Sequence, residues 1–200
     1  MKIDIRSDAK ELAKRIKTAH QKHIPAATNR ALNKVGDRAY RDSARKIAKH
    51  LGVSQKTIAD KKATSTNRGS HGLIIRQRSK FKMMRYLITF ARKGISLAHL
   101  NPQQTTEGVV AGEKGKRELR RSAFIATVRG EHRAVFRRKT KARLPIQKLY
   151  GPSLSTVGEQ TNVQQDAEAT FRKDFAPEFM KDIRGRILRE RAKARRTPRA

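Results

Sequence analysis

The chain has 200 residues, of which 49 are Lys or Arg and 17 are Asp or Glu, giving a formal net charge of +32. Self-repulsion on that scale works against a compact isolated monomer, so the chain calls for a polyanion or acidic neighbours. Hydrophobic residues make up 36% and aromatic residues 5%, which leaves a thin core and supports one domain, or one domain with an arm, completed by interfaces.

The absence of cysteine excludes disulfide frameworks, cysteine zinc sites and thiol nucleophiles, and it suits assembly in a reducing cytoplasm. The opening MKIDIRSDAK carries charges where a signal peptide needs an apolar centre. The longest apolar cluster, Leu87 to Ala91, is strand-sized and far below the ~18 residues of a membrane span. A soluble chain with no signal peptide of its own and no membrane partner is expected.

In chain order, a first helix is predicted after Ser7 or Asp8, with Leu12, Ile16 and Ala19 on one face, until Ile24-Pro25 interrupts it. A second helix starts at Pro25 and runs to about Leu51, with Ala27, Ala31, Val35, Ala39, Ile47 and Leu51 along one stripe and Gly52 as its cap. Its alanine content favours close helix-to-helix approach. Ala44 to Ala59 also reads like a helix-turn-helix. Lys61 stands where that motif's second helix needs an apolar residue, so a plain αα-hairpin is the preferred reading.

Ala63 to Gly72 is a polar linker. Beyond it, Leu73–Arg78, Tyr86–Phe90, Ile95–Leu100, Gly108–Ala111, Ala123–Val128 and Ala134–Phe136 read as five or six short strands, the last two joined by a turn at Gly130-Glu131. Gly112 to Arg117 resembles the end of a phosphate loop. Val110 sits at the required first glycine and Arg117 replaces the Ser or Thr that would hold magnesium, so a hairpin turn is expected. Arg143 to Ser153 reads as a fixed strap, in which Pro145 and Pro152 restrict the backbone and Leu144, Ile146, Leu149 and Tyr150 supply apolar anchors. A last helix runs from about Gln164 to Arg196 with Phe171, Phe175, Phe179 and Ile183 four apart, and Pro177 threatens a kink in it.

Charge is unevenly spread. Lys114 to Arg143 holds twelve basic and two acidic residues, a net of +10, and Arg184 to Ala200 holds eight against one. Ser153 to Ile183 is acidic, with six carboxylates against three cations, and it carries the Phe stripe, which marks it as a protein-packing surface. Few aromatics interleave the basic runs, so nonspecific phosphate contact fits better than base stacking.

Sharper chemistry is not found. His20 and His23 are three apart, but no further ligand lies at metal spacing. Asp166 with Glu168, and Asp174 with Glu178, lie among Arg172, Lys173 and Lys181, where helix-surface ion pairing is the expected role. No catalytic grouping, cofactor or metal site is expected, and the chain is read as no enzyme.

The wording of one segment goes further. The AFIAT strand at Ala123, a basic return strand through Arg133, Val135 and Phe136, and then RLPIQKLYGPS from Arg143 to Ser153 closely resemble the minor tail protein Z family of tailed phages. Ile24-Pro25-Ala26-Ala27, Asn29 to Asn33, and Gly108-Val109 ahead of the turn at Lys114 to Arg117 resemble it as well. The resemblance spans roughly residues 20 to 190 and is weakest over 60 to 100. It implies a structural virion protein, a tail completion protein at the head-proximal end of the tail, with no catalytic residues to carry over. It also implies a homo-oligomeric ring, sixfold, between a tail terminator and the head-tail connector, in contact with the passing DNA and assembled in the host cytoplasm.

The expected fold is therefore α+β: two N-terminal helices, a small antiparallel sheet or barrel-like unit, and a long C-terminal helix packed on it. The boundaries are 1–62 (helical), 63–72 (linker), 73–152 (β-rich), 153–196 (helical) and 197–200 (basic tail), all read as one domain with an N-terminal arm. Candidate DNA-facing residues are Arg117, Arg120, Arg121, Arg129, Arg133, Arg137, Arg138, Lys139, Lys141 and Arg143. The strap comprises Leu144, Pro145, Ile146, Leu149, Tyr150, Gly151 and Pro152, and the packing interface Phe171, Phe175, Phe179 and Ile183. The rivals are a helix-turn-helix regulator and a nonspecific nucleic-acid-binding or ribosome-associated protein.

Overall fold

A computed structural model describes residues 17, 19–59, 74–92, 94–128 and 132–196. The predicted first helix ahead of Ala19, Lys61, the linker 63–72, Arg129 with the turn at 130–131, and the tail 197–200 lie outside the described residues, as does the side chain of His20.

The architecture is the expected α+β mixture. A π-helical turn, Ala19–His23, passes directly into α1, Ile24–Leu51. The interruption expected at Ile24-Pro25 does not occur. Pro25 falls near the start of α1, and the wide π turn ahead of it takes up the ring and the missing donor. At the other end Gly52 adopts φ +71°, and the Val53 N–H reaches the Ala48 carbonyl at 3.0 Å, a Schellman-type stop. Helix α2, Gln55–Ile58, is a single turn behind Ser54. Helix α3, Leu154–Gln160, is capped by Ser153, whose Oγ accepts from the Thr156 N–H at 3.2 Å. Helix α4, Val163–Arg196, keeps Pro177 within its length.

Ten strands occur among the described residues, in four small groups rather than one sheet. β1 (Ile74–Gln77) pairs with β2 (Leu87–Phe90), and β3 (Gly94–Ser96) with β10 (Tyr150–Ser153). β4 (Gln103–Gln104), β5 (Gly108–Glu113) and β6 (Lys116–Arg121) form a three-stranded sheet, and β7 (Ala123–Val128), β8 (His132–Arg138) and β9 (Ile146–Lys148) another. The segment expected as one strand from Ile95 to Leu100 is split, since a 3-10 turn at Leu97–His99 follows β3.

The chain divides into two compact units, Met1–Ala39 with Arg78–Leu87 and Glu168–Ala200, and Tyr40–Gln77 with Ile88–Ala167. The second holds the main core, built by Tyr40, Ala44, Ile47 and Leu51 of α1, Ile58, Ile74, Ile95, Leu97, Leu100, Val109, Val135, Leu154 and Val157. Strand alternation explains the sheet's share of it. Ile125 lies opposite Val135 and Ala123 opposite Arg137, so one face carries core residues, while Phe124 and Phe136 meet on the other face at 6.1 Å.

The segment Ile146 to Ser153 stitches this core together. β9 pairs with β8, the Leu149 N–H then donates to the Val135 carbonyl at 2.9 Å, and the Leu149 carbonyl accepts from Leu97. β10 next pairs with β3, and Ser153 caps α3. A Cβ at Gly151 would lie 2.7 Å from a methyl of Leu100, so any larger residue here requires the Leu100 side chain to shift. Two of the four expected anchors are corrected: Leu144 is 66% exposed and Tyr150 44% exposed, whereas Leu149 packs on the core. Strand alternation turns Leu149 inward and Tyr150 outward, while Leu144 lies in the exposed segment ahead of β9.

Replacing Leu149 by Asp should cost about 3 kcal/mol or more, because it removes apolar packing and buries a carboxylate. Leu144→Asp, at an exposed position, should change stability by less than about 0.5 kcal/mol. Urea denaturation followed by circular dichroism separates the two.

Candidate nucleic-acid interface

The basic run begins on β6. All six of its residues, Lys116 to Arg121, are exposed, so neither face of the strand meets the core. It is held by antiparallel pairing with β5 from Gly108 opposite Arg121 to Glu113 opposite Lys116, across a turn in which Gly115 takes φ +84°. The hairpin turn read from Gly112 to Arg117 is therefore present. The strand after it was not foreseen, since six exposed charged or polar-flanked positions leave no apolar alternation to detect.

Ser122, at φ +58°, turns the chain from β6 into β7, with its N–H on the Glu107 carbonyl at 3.0 Å. The first residue of β7, Ala123, pairs with Arg137. Arg120 and Arg121 are thus delivered to the same end of the β7–β8 hairpin as Arg137 and Arg138. From Arg137 to Pro145 every residue is exposed, and the loop is closed at its base by the Lys139 N–H on the Pro145 carbonyl at 3.1 Å. Arg138 lies 5.6 Å from the centre of the Phe124 ring, a contact that fixes its stem without neutralising it. Arg137, Lys139, Lys141 and Arg143 have no ion pair among the described residues, and the loop itself contains no carboxylate.

The ten candidates are accordingly divided. Arg121, Arg137, Arg138, Lys139, Lys141 and Arg143 converge at one end, joined by Arg120, which is shared with Glu118 at 2.7 Å. Arg117 is a structural donor, giving its Nη2 to the Asn101 carbonyl at 2.6 Å and to Val110 at 3.4 Å. Arg133 sits near the opposite end of the hairpin, about 13 Å from Arg137 along the strand. There it borders a depression of about 420 Å³ with His99, Pro102 and Gln103.

The helix-turn-helix reading fails on geometry. Helix α2 has four residues and ends at an extended Ala59, so it is too short for a recognition helix. His23 has a partner within the chain, with Nε2 2.8 Å from Glu190.

In the first unit, the acidic packing surface has a specific mate. Lys34 meets Glu178 at 2.6 Å, Arg30 meets Asp182 at 3.2 Å, Arg38 meets Asp174, and His23 meets Glu190. Each step of four along α1 matches a step of four backward along α4, so the two segments run antiparallel. This corrects the expectation of pairing along one helix surface: Asp174 and Glu178 reach across to α1, and Asp182 alone among them also pairs within α4, with Arg186. Phe171, Phe175 and Phe179 stack in sequence at 5.3 and 6.1 Å, half-buried beside those carboxylates, as is Ile183. On α1 the small stripe Ala27, Ala31, Val35 and Ala39 is buried. The signal was in the sequence: Arg30, Lys34 and Arg38 are spaced by four, and so are Asp174, Glu178 and Asp182.

Residues 9–193 match the family profile described as prophage minor tail protein Z. No curated protein and no solved structure matches the chain. No helix among the described residues is long and apolar enough to cross a membrane.

The hydrogen bond from Lys34 holds the Glu178 carboxyl below its ordinary value of 4.5, with the charges of Lys34, Lys181 and Arg38 acting in the same direction. A lowered pKa means that the stabilisation is fully present above about 4.5 and is lost as pH falls through the lower folded value. Glu178→Gln should therefore destabilise by about 0.5–1 kcal/mol at neutral pH, the scale of an exposed pair. The gap to the natural chain should close below about pH 4.5, as read from thermal melts across pH.

Proposed function

The chain belongs to the prophage minor tail protein Z family, whose members are structural components of the phage tail, and we propose that it completes the head-proximal end of the tail as a homo-oligomeric ring, structural rather than enzymatic. In this reading the ring is sixfold, lies between the tail terminator and the head-tail connector, and presents a cationic surface to the DNA that passes through the neck during head-tail joining. Assembly takes place in the host cytoplasm. The observation that carries the DNA contact is the convergence of Arg121, Arg137, Arg138, Lys139, Lys141 and Arg143 at one end of the β7–β8–β9 sheet, with no acidic partner for the loop cations among the described residues.

The chemistry suits a passage and not a reader. Duplex DNA carries about one phosphate charge per 1.7 Å, and lysine and arginine side chains on an exposed loop contact phosphates without any base register. Such contacts hold a DNA end at low cost to its release. Ring formation also places copies of a highly charged chain around a polyanion that neutralises them.

The full chain should bind random-sequence duplex DNA, with a logarithmic salt slope of about −3 or steeper. Replacing Lys139, Lys141 and Arg143 together by Gln should flatten that slope by about 2 to 3, whereas Arg117→Gln should leave it within about 0.5 of the natural value. Fluorescence anisotropy at graded salt gives both numbers. A slope shallower than about −3 for the natural chain rejects an extended DNA-facing surface.

A further inference from the structure

Residues 78–87 belong to the first unit, and α1 spends three neighbouring positions on holding them. Asn33 satisfies both backbone groups of Ser79, its Nδ2 donating to the Ser79 carbonyl at 3.0 Å and its Oδ1 accepting from the Ser79 N–H at 2.8 Å. Asp37 accepts from the Arg78 guanidinium and from the Tyr86 hydroxyl, the latter at 2.7 Å. Gly36 is the seat of the Tyr86 ring, where any Cβ would overlap it. Both ends of the segment are thereby fixed to one helix face.

What this clasp holds is a tight turn. The Lys80 N–H donates to the Met83 carbonyl at 3.1 Å, and the Met83 N–H returns to Lys80 at 2.9 Å, leaving Phe81 and Lys82 at the corner. Phe81 is 55% exposed, Met83 44% and Met84 45%. Lys80, Lys82 and Arg85 surround them, and no carboxylate occurs from Arg78 to Leu87. Scattered exposed apolar residues need no explanation, but three large ones on a turn clasped at both ends form a patch that no described residue covers.

We infer that this turn is a plug that enters an apolar pocket rimmed by carboxylates on a different protein of the tail. The inference rests on the chain's place in the tail and is independent of DNA contact. Charge complementarity selects the partner, because the turn brings three cations and no anion. A second copy offers this turn few carboxylates, since the chain has 17 against 49 cations and Asp174, Glu178 and Asp182 are already matched with cations of α1. The clasp lowers the entropy cost of docking by fixing the turn beforehand, and methionine adapts to the wall of a pocket.

The test places a benzophenone photocrosslinking amino acid at position 81 of the full chain during tail assembly in cells, followed by irradiation of purified tails. The expected product joins this chain to one other tail protein, at a peptide that combines apolar residues with Asp or Glu. A crosslink to a second copy, to DNA or to lipid, or no crosslink at all, overturns the proposal. In parallel, Phe81→Ser combined with Met84→Ser should lower incorporation into tails by about tenfold or more, as loss of an interface anchor does. The melting temperature and the DNA salt slope should stay unchanged. Full incorporation of that variant also overturns the plug, while a shallow salt slope with the crosslink intact removes the DNA reading alone.

Discussion

The shortage of acidic residues governs this structure. With 17 carboxylates to set against 49 cations, internal neutralisation is possible only in selected places, and the fold concentrates it. The α1–α4 contact of the first unit receives Asp174, Glu178 and Asp182 at steps of four, so a helix pair with a small apolar stripe is held by matched charge at regular intervals. In water each such pair contributes little alone. Their regular spacing sets register, which a stripe of alanines cannot do, because small residues pack about equally well after a slip of one turn.

The second unit follows the opposite course. Its core is closed by aliphatic residues from α1, four small strand groups and α3, and its cations are left at the surface. The strap from Ile146 to Ser153 makes this feasible without a large sheet. By pairing first with β8, then with β3, and then capping α3, eight residues tie three elements that share no strand order. The basic loop from Arg137 to Pro145 hangs from that stitched base, so its cations are presented by a rigid foundation even though no side chain of the loop is buried. Electrostatic contact with a polyanion needs such exposure, since burial would add a desolvation cost to each cation.

Much of this was legible beforehand. The alanine stripe of α1, the stop at Gly52, the β7–β8 hairpin and the turn at Lys114–Gly115 follow from periodicity and glycine placement, and they are present. The wording from Ser122 to Ser153 pointed to the family to which the chain belongs. Other features were hidden for identifiable reasons. β6 has no buried face, so its sequence carries no alternation; β9 and β10 are three and four residues long, below the length at which a pattern forms. Tyr150 and Leu144 look like anchors by composition; the pleat turns Tyr150 outward, and Leu144 falls in the exposed loop ahead of β9.

The sequence by itself determined the charge imbalance, the absence of thiol chemistry, the alternation of helical and strand regions and the family, because each depends on residue identity or on spacing within one element. Tertiary structure decided which charges are consumed. Arg30, Lys34 and Arg38 find carboxylates more than 130 residues away along the chain, and Arg117 is spent on backbone carbonyls, while Lys139, Lys141 and Arg143 are left without an ion pair among the described residues. It also decided that Gly36 is a seat for Tyr86 and that Phe81 stands in solvent. A contact between distant residues depends on how two elements meet in space, and one-dimensional periodicity contains the face of each element but not the identity of its mate.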